Sequence, residues 1–266
     1  MMNAVGQILR RAAQEAILPR YQNLAAGDIQ EKTPGEIATI ADHEAEQLIT
    51  RALLHLLPGA RVVGEEAASK DSSLLEHLGD NTVWLVDPLD GTANFASGRG
   101  PFATMAALLI SGEIVASWIF DPISDRLFVA ERGSGAFVNG KRISTAQDSP
   151  GAANLCGVVA TGFMPPDLQA AMKTRMQKIN ALRPLMLCAG TEYPDIATGE
   201  RHFALYWRTL AWDHAPGALF LTEAGGWVAR HDGTAFKVTD PRPGLLVARN
   251  KAVWEDAAAF LIKEAP

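Results

Sequence analysis

With only two cysteines in 266 residues the chain cannot build a disulfide framework, and Cys156 and Cys188 fall outside any CxxC or Cys/His ligand spacing. A reduced, cytoplasmic setting is the expectation. The chain also lacks an apolar run of about 18 residues, the minimum for a membrane-crossing helix, so no membrane partner is expected. Its start has no cationic stretch leading into a continuous apolar one. Val5, Ile8, Leu9, Ala12, Ala16 and Ile17 fall instead on one face of an amphipathic helix, which argues against an export signal. Positive charge is scattered. A formal net charge of −6 without a basic cluster argues against broad binding to nucleic acid or anionic lipid, which needs a positive face to displace counterions. The six histidines are dispersed with no metal-ligand spacing among them, and they read as structural or exposed.

What the chain does have is ordinary globular content, 48% apolar and 20% charged, enough to bury a large core. Gly27 to Glu36 is polar, with Pro34 and Gly35 as breakers, and reads as a mobile loop. A second helix is expected from near Asp42, with Ala45, Leu48, Ile49, Ala52, Leu53 and Leu56 at helical spacing up to Pro58-Gly59. Short β-rich runs follow at Arg61 to Val63 and Thr82 to Val86. Further strands at Phe102 to Ile110, Ile114 to Phe120, Arg126 to Glu131 and Ala136 to Ile143 are joined by tight turns, which predicts an antiparallel meander.

Beyond Pro150-Gly151 strands and helices alternate. The expected elements are Leu155 to Ala160, Asp167 to Ile179, Arg183 to Leu187, a short helix after Gly190, Phe203 to Tyr206, and a helix from Asp213 to Ala224 stopped by Gly225-Gly226. Trp227 to Ala229, Leu245 to Ala248 and a last helix near Val253 to Lys263 complete the chain. The expectation is an α+β half over residues 1–146, with an antiparallel sheet, joined to an α/β half over residues 147–266.

The chemistry gathers where strands end. The first two β-rich runs lead directly into Glu65-Glu66 and Asp87. In Asp87-Pro88-Leu89-Asp90-Gly91-Thr92 two carboxylates are held close at a turn, and a cation between them resolves their repulsion. The N–H groups of Gly91 and Thr92 would open a helical turn suited to a phosphate. Each dipeptide alone is a common turn, Asp42 and Asp213 are each ordinary helix-start residues, and Thr92 could simply cap its own turn. Gly133-Ser134-Gly135 lacks the following Lys and helix of a phosphate loop and reads as a hairpin turn.

Taken together, these segments resemble the inositol monophosphatase family. Trp84 to Phe95, WLVDPLDGTANF, resembles its first signature, and Trp212 to Gly226, WDHAPGALFLTEAGG, its second. Gly64-Glu65-Glu66 and Thr39-Ile40-Ala41-Asp42 resemble two further elements in family order. The resemblance implies a layered αβαβα sandwich and, usually, a homodimer. It implies that Glu65, Asp87 and the carbonyl of Leu89 hold one Mg2+ and that Asp87, Asp90 and Asp213 hold a second. A third, weaker Mg2+ would use Glu65 and water. Oxygen-only ligands suit this hard cation and argue against zinc. Gly91 and Thr92 would bind phosphate, and Thr92, bonded to Asp42, would orient or deprotonate the attacking water, with Glu65 also assigned to catalysis. Glu66 is left as a supporting or solvated carboxylate. The implied activity is lithium-sensitive hydrolysis of a small phosphate monoester.

The implied pocket is formed by Gly190, Thr191, Glu192 and Tyr206. Relatives acting on inositol phosphates carry an acid where this chain has Tyr206, which weakens inositol 1-phosphate as substrate, although a polyol or sugar phosphate stays first. Glu192, facing the pocket, would favour a cationic alcohol such as histidinol phosphate. Fructose 1,6-bisphosphate and 3'(2'),5'-nucleotide bisphosphates remain alternatives. A catalytically silent magnesium-binding scaffold is the reading from a different class, against which the complete set of acids argues.

Overall fold

The computed structural model describes residues 1–33, 35–151, 154–177, 179 and 181–262. Pro34, Lys178 and Lys263, each part of an element expected above, lie outside them. The first helix, α1 (Met2–Ala12), continues through a π-helical turn, Ala13–Ile17, and a 3-10 turn, Leu18–Arg20. The stretch expected as a loop is a hairpin: β1 (Ile29–Thr33) pairs antiparallel with β2 (Glu36–Thr39) in a sheet of its own. β1 is largely exposed, so no alternation of apolar side chains announces it. β2 runs straight into α2 (Ile40–Leu56). Asp42 is therefore the third residue of the helix and the far half of a capping box whose N-cap is Thr39.

The larger sheet contains β3 (Arg61–Gly64), β4 (Val83–Asp90), β5 (Ala103–Ile110), β6 (Glu113–Asp121), β7 (Arg126–Glu131), β8 (Gly135–Val138) and β9 (Lys141–Ile143), side by side in chain order. All neighbours are antiparallel except β3 and β4. A parallel pair needs a crossover, supplied by α3 (Glu65–Lys70) and a 3-10 stretch, Ser72–Gly79, neither of which was expected from sequence. A short helix, α4 (Thr92–Ala96), follows β4.

Beyond β9 come β10 (Cys156–Val159), α5 (Pro166–Met176), β11 (Ala181–Leu182), α6 (Ala189–Thr198), β12 (Phe203–Tyr206), α7 (Ala211–Glu223), β13 (Trp227–Arg230), β14 (Leu245–Ala248) and α8 (Lys251–Leu261). They form a second sheet in the order β11-β10-β12-β14-β13. The strand expected at Arg183 to Leu187 is displaced to Ala181–Leu182. Arg183 N still donates to Gly157 O at 2.8 Å, but Pro184 has no N–H with which to continue the ladder.

The layers follow from which faces are apolar. α1 and α2 bury Val5, Leu9, Ile49 and Leu53 against Trp84, Val86 and Trp118 on one face of the large sheet. The other face of that sheet meets α6 and α7, with Tyr193, Ile196 and Phe220 in contact with Met105, Ile119 and Phe128. Those helices also face the second sheet, whose far side is covered by α5 and α8. The result is the αβαβα sandwich, in which Glu65 follows β3, Asp87 and Asp90 end β4, and Asp213 lies in the first turn of α7.

Candidate active site

Glu65 is the first residue of α3, held there by a side chain that sequence reasoning passed over. Glu46, facing inward from α2, accepts hydrogen bonds from Glu66 N at 2.7 Å and Ala67 N at 2.9 Å, occupying two otherwise orphan donors of the new helix. Its place in the apolar stripe of α2, between Ala45 and Ile49, was the available signal. A Cβ at Gly64 would lie 2.3 Å from Glu46 Oε2, so glycine is required where the strand passes this carboxylate.

Asp87 and Asp90 end β4, whose register to β5 shifts between them. That irregularity turns both side chains toward one end of the sheet. Asp87 Oδ1 accepts from Leu89 N at 3.1 Å, and Asp90 Oδ2 from Gly190 N at 2.5 Å. Gly91 follows in the left-handed region at φ +87°, and a Cβ there would meet Pro101 O at 2.9 Å. The backbone therefore demands glycine whether or not a ligand approaches. Asp213 comes from the first turn of α7, on the facing layer.

These carboxyls share one charge environment. Asp87 feels the charges of Glu65, Asp90 and Asp213. Burial, reinforced by repulsion from Glu65, Asp90 and Asp213, holds Asp87 well above the ordinary carboxylate range. Burial likewise raises Asp213, with Asp90 and Glu65 adding to it and Arg208 opposing. Asp90 and Glu65 are raised by burial too, against the Gly190 N–H and the Lys32 ammonium respectively.

Among the described residues no three His, Cys, Asp or Glu side chains are drawn in around one point as a finished ligand set. A cation nonetheless stands in at the edge of the cluster: Lys32 Nζ, from β1, lies 2.6 Å from Glu65 Oε1 and 2.8 Å from Glu66 Oε1. Crowded, buried, all-oxygen acids whose ionisation is opposed by each other, with an ammonium on the outermost, form a donor set that fits hard divalent cations. Glu66 is only 1% exposed, correcting the solvated alternative for it; His43 Nδ1 lies 3.5 Å from its other oxygen.

Thr92 opens α4, and its hydroxyl lies 2.9 Å from both Asp42 Oδ1 and Leu89 O, to one of which it donates. Asp42 Oδ2 accepts from Thr39 N and Thr39 Oγ1. Burial pushes the Asp42 carboxyl up to about 7, with the Thr39 hydrogen bonds opposing. The cap role and the Thr92 contact are thus served by different oxygens of one carboxylate.

The expected pocket residues divide. Gly190 serves as a support: its N–H holds Asp90, and a Cβ there would lie 2.6 Å from Ala103 Cβ. Thr191 is half-buried, 3.4 Å from Cys188 Sγ. Glu192 is 2% exposed and committed inward, its oxygens accepting from Met186 N at 2.9 Å and Tyr206 OH at 2.7 Å. This corrects its expected role toward a cationic alcohol, because neither oxygen is left to face one. Tyr206 is buried as well, stacked against Tyr193 with ring centres 6.0 Å apart, and Tyr193 OH meets His214 Nδ1 at 2.9 Å.

The family follows from comparison of the whole chain. Residues 2–265 match the sequence model of the inositol monophosphatase family. The chain belongs to that family. Membership makes it a phosphoric monoester hydrolase. The chain is similar to an inositol-1-monophosphatase of Mesorhizobium japonicum, at 33% identity over 84% of this chain and 81% of that one. A protein of Thermotoga maritima named fructose-1,6-bisphosphatase/inositol-1-monophosphatase is 30% identical over 77% of each. Among solved structures, the extragenic suppressor protein suhB of Bartonella henselae superposes with a TM-score of 0.84 at 27% identity, covering 99% of both chains.

Proposed function

We propose that this family member hydrolyses a small polyol or sugar phosphate, with inositol 1-phosphate as the reference case, and that it requires Mg2+. The observation that carries the reading is the convergence of Glu65, Asp87, Asp90 and Asp213 beside the Thr92–Asp42 pair. Two or three Mg2+, held by Glu65, Asp87, the Leu89 carbonyl, Asp90 and Asp213, would neutralise the phosphate and polarise a water when bound.

The chain's own groups supply the rest. When its O–H donates to Asp42 Oδ1, Thr92 Oγ1 keeps lone pairs free to accept a hydrogen bond from water and aim it at phosphorus. A carboxyl near 7 can take the proton relayed through that hydroxyl and release it afterwards at neutral pH. The N–H groups of Gly91 and Thr92 would receive phosphate oxygens, as the family resemblance implies. The family resemblance extends the proposal to lithium sensitivity, a homodimer and a cytoplasmic setting.

The test is phosphate release from inositol 1-phosphate, glycerol 2-phosphate and sugar phosphates, with Mg2+ and with chelator, by wild type and Asp90→Asn. Release that needs Mg2+ and is nearly lost in the variant is expected, since the amide oxygen can keep the Gly190 bond while a ligand charge is removed. Full activity of Asp90→Asn would refute the metal assignment, and absence of release from every ester would refute the function.

A further inference from the structure

The turn of α7 that carries Asp213 is weakly held by its own backbone. Its N-cap is Leu210, whose side chain has no oxygen with which to occupy the first N–H groups of the helix. Pro216, inside the same helix, has no N–H to donate to Trp212 O, the carbonyl just ahead of Asp213. The direction in which this acid points is therefore set largely by what packs around it. His214, the next residue and only 3% exposed, has both ring nitrogens engaged.

His214 Nε2 lies 3.2 Å from Arg208 O, in the segment that leads from β12 into α7. Burial keeps the imidazole neutral, lowering it to about 4, and a carbonyl can only accept, so the single ring proton sits on Nε2. Nδ1 is left to accept from Tyr193 OH at 2.9 Å. One ring thereby ties the entry to α7 and its first turn to α6. On α6, Tyr193 lies one helical turn beyond Gly190, whose N–H donates to Asp90 Oδ2. The Tyr193 ring is itself held: a Cβ at Gly217 of α7 would stand 2.3 Å from its Cγ, and Tyr206 stacks on it. A single helix thus grips Asp90 with a backbone N–H and the base of Asp213 with a phenol.

We infer that Tyr193 and His214 form a positioning pair that fixes the carboxylate of Asp213, in the helical layer, against that of Asp90, on the large sheet, so that the two meet on one divalent cation. This rests on the metal-dependent reading above and adds to it two residues outside the ligand set. Both act through other groups and take no part in cleavage. With the link cut, Asp90 stays on Gly190 while the first turn of α7 is free to shift, and binding must then restore the geometry at the expense of affinity.

The experiment titrates Mn2+, a paramagnetic substitute for Mg2+, into metal-free protein and measures the free ion by electron paramagnetic resonance. Urea unfolding in chelator, and KM for glycerol 2-phosphate at saturating Mg2+, are measured alongside. Tyr193→Phe removes only the hydroxyl and should weaken one of the bound ions by about tenfold or more, the range for losing a group that orients a metal ligand. KM at saturating metal should barely change. His214→Gln keeps a donor where Nε2 stood and loses the acceptor for Tyr193, so it should weaken the same ion by a similar factor and carries the test alone if Tyr193→Phe does not fold. The double variant should bind no more weakly than either single one, because both cut one link. Asn250→Ala removes a buried cap from α8, beyond the second sheet, and should lower the urea midpoint without changing Mn2+ affinity. Unchanged Mn2+ affinity in the single variants, additive losses in the double variant, or an equal loss in Asn250→Ala would overturn the inference and leave the metal-dependent reading standing. A wild type that binds no Mn2+ overturns that reading, and the inference with it.

Discussion

Replacing Gly217 with alanine sets two effects of opposite sign against each other in the helical layer between the sheets. In a helix interior the change ordinarily stabilises by about 1 kcal/mol, because glycine surrenders more backbone freedom. Here the new Cβ would stand 2.3 Å from Cγ and Cδ2 of Tyr193. That ring is fully buried, hydrogen-bonded to His214 and stacked on Tyr206, so it cannot swing aside without breaking those contacts. Overpacking of this kind costs about 1–3 kcal/mol, and losing the buried Tyr–His bond adds about 1 kcal/mol. The clash therefore outweighs propensity, and a net destabilisation of about 1–3 kcal/mol is expected. Urea unfolding should show a lower midpoint at unchanged slope. Phosphate release should fall as well, because α6 presents the Gly190 N–H to Asp90 and α7 carries Asp213. Adding Tyr193→Leu should recover part of the loss, as a coupling between the two sites. A Gly217→Ala protein as stable as wild type would refute the packing argument.

Other consequences can be checked in the same assays. Thr92→Val keeps the shape and removes the hydroxyl, so kcat should fall by about 10²–10⁴ with little change in KM; a kcat near wild type would exclude Thr92 from positioning the water. Glu46→Ala strips two N–H partners from the start of α3 and should cost about 1–2 kcal/mol, with a higher Mg2+ concentration needed for half-maximal activity; an unchanged Mg2+ requirement would mean that Glu65 does not depend on this cap. In chelator, the pH dependence of stability has a definite sign. Burial raises Asp42 and Glu46 to about 7, so the folded protein holds protons that the unfolded chain has lost, and stability should rise as pH falls from about 7 toward 4.5. His214 and His231, lowered to about 4 by burial, act the other way below about 6.5, but the raised carboxyls, which include Asp87, Asp90 and Asp213, outnumber them. Chelated protein less stable at pH 5.5 than at pH 8 would contradict this.

Much of the site was legible because its residues sit at breaks in pattern. Asp87 and Asp90 end an apolar strand, Glu65 follows another, and Asp213 lies in the first turn of a helix closed by two glycines, so local sequence marks each as a carboxylate near an element's end. The supporting residues gave no such mark. Glu46 lies inside a helix, Gly190 looks like any helix-start glycine, and Lys32 sits in a polar stretch whose hairpin depends on contacts with distant segments.

Local pattern and signature thus determined most of the order of elements and the class of reaction and nominated the acids, since strand alternation, helix stops and the ligand preference of a hard cation are all properties of short segments. Which way Glu192 faces was decided only by the tertiary structure. Its carboxylate could have lined a substrate pocket, but Tyr206 and the Met186 N–H, brought from other parts of the chain, satisfy both oxygens in the interior. Buried charge goes where partners are, and partners separated in sequence are assembled only by the packing of α6 between two sheets.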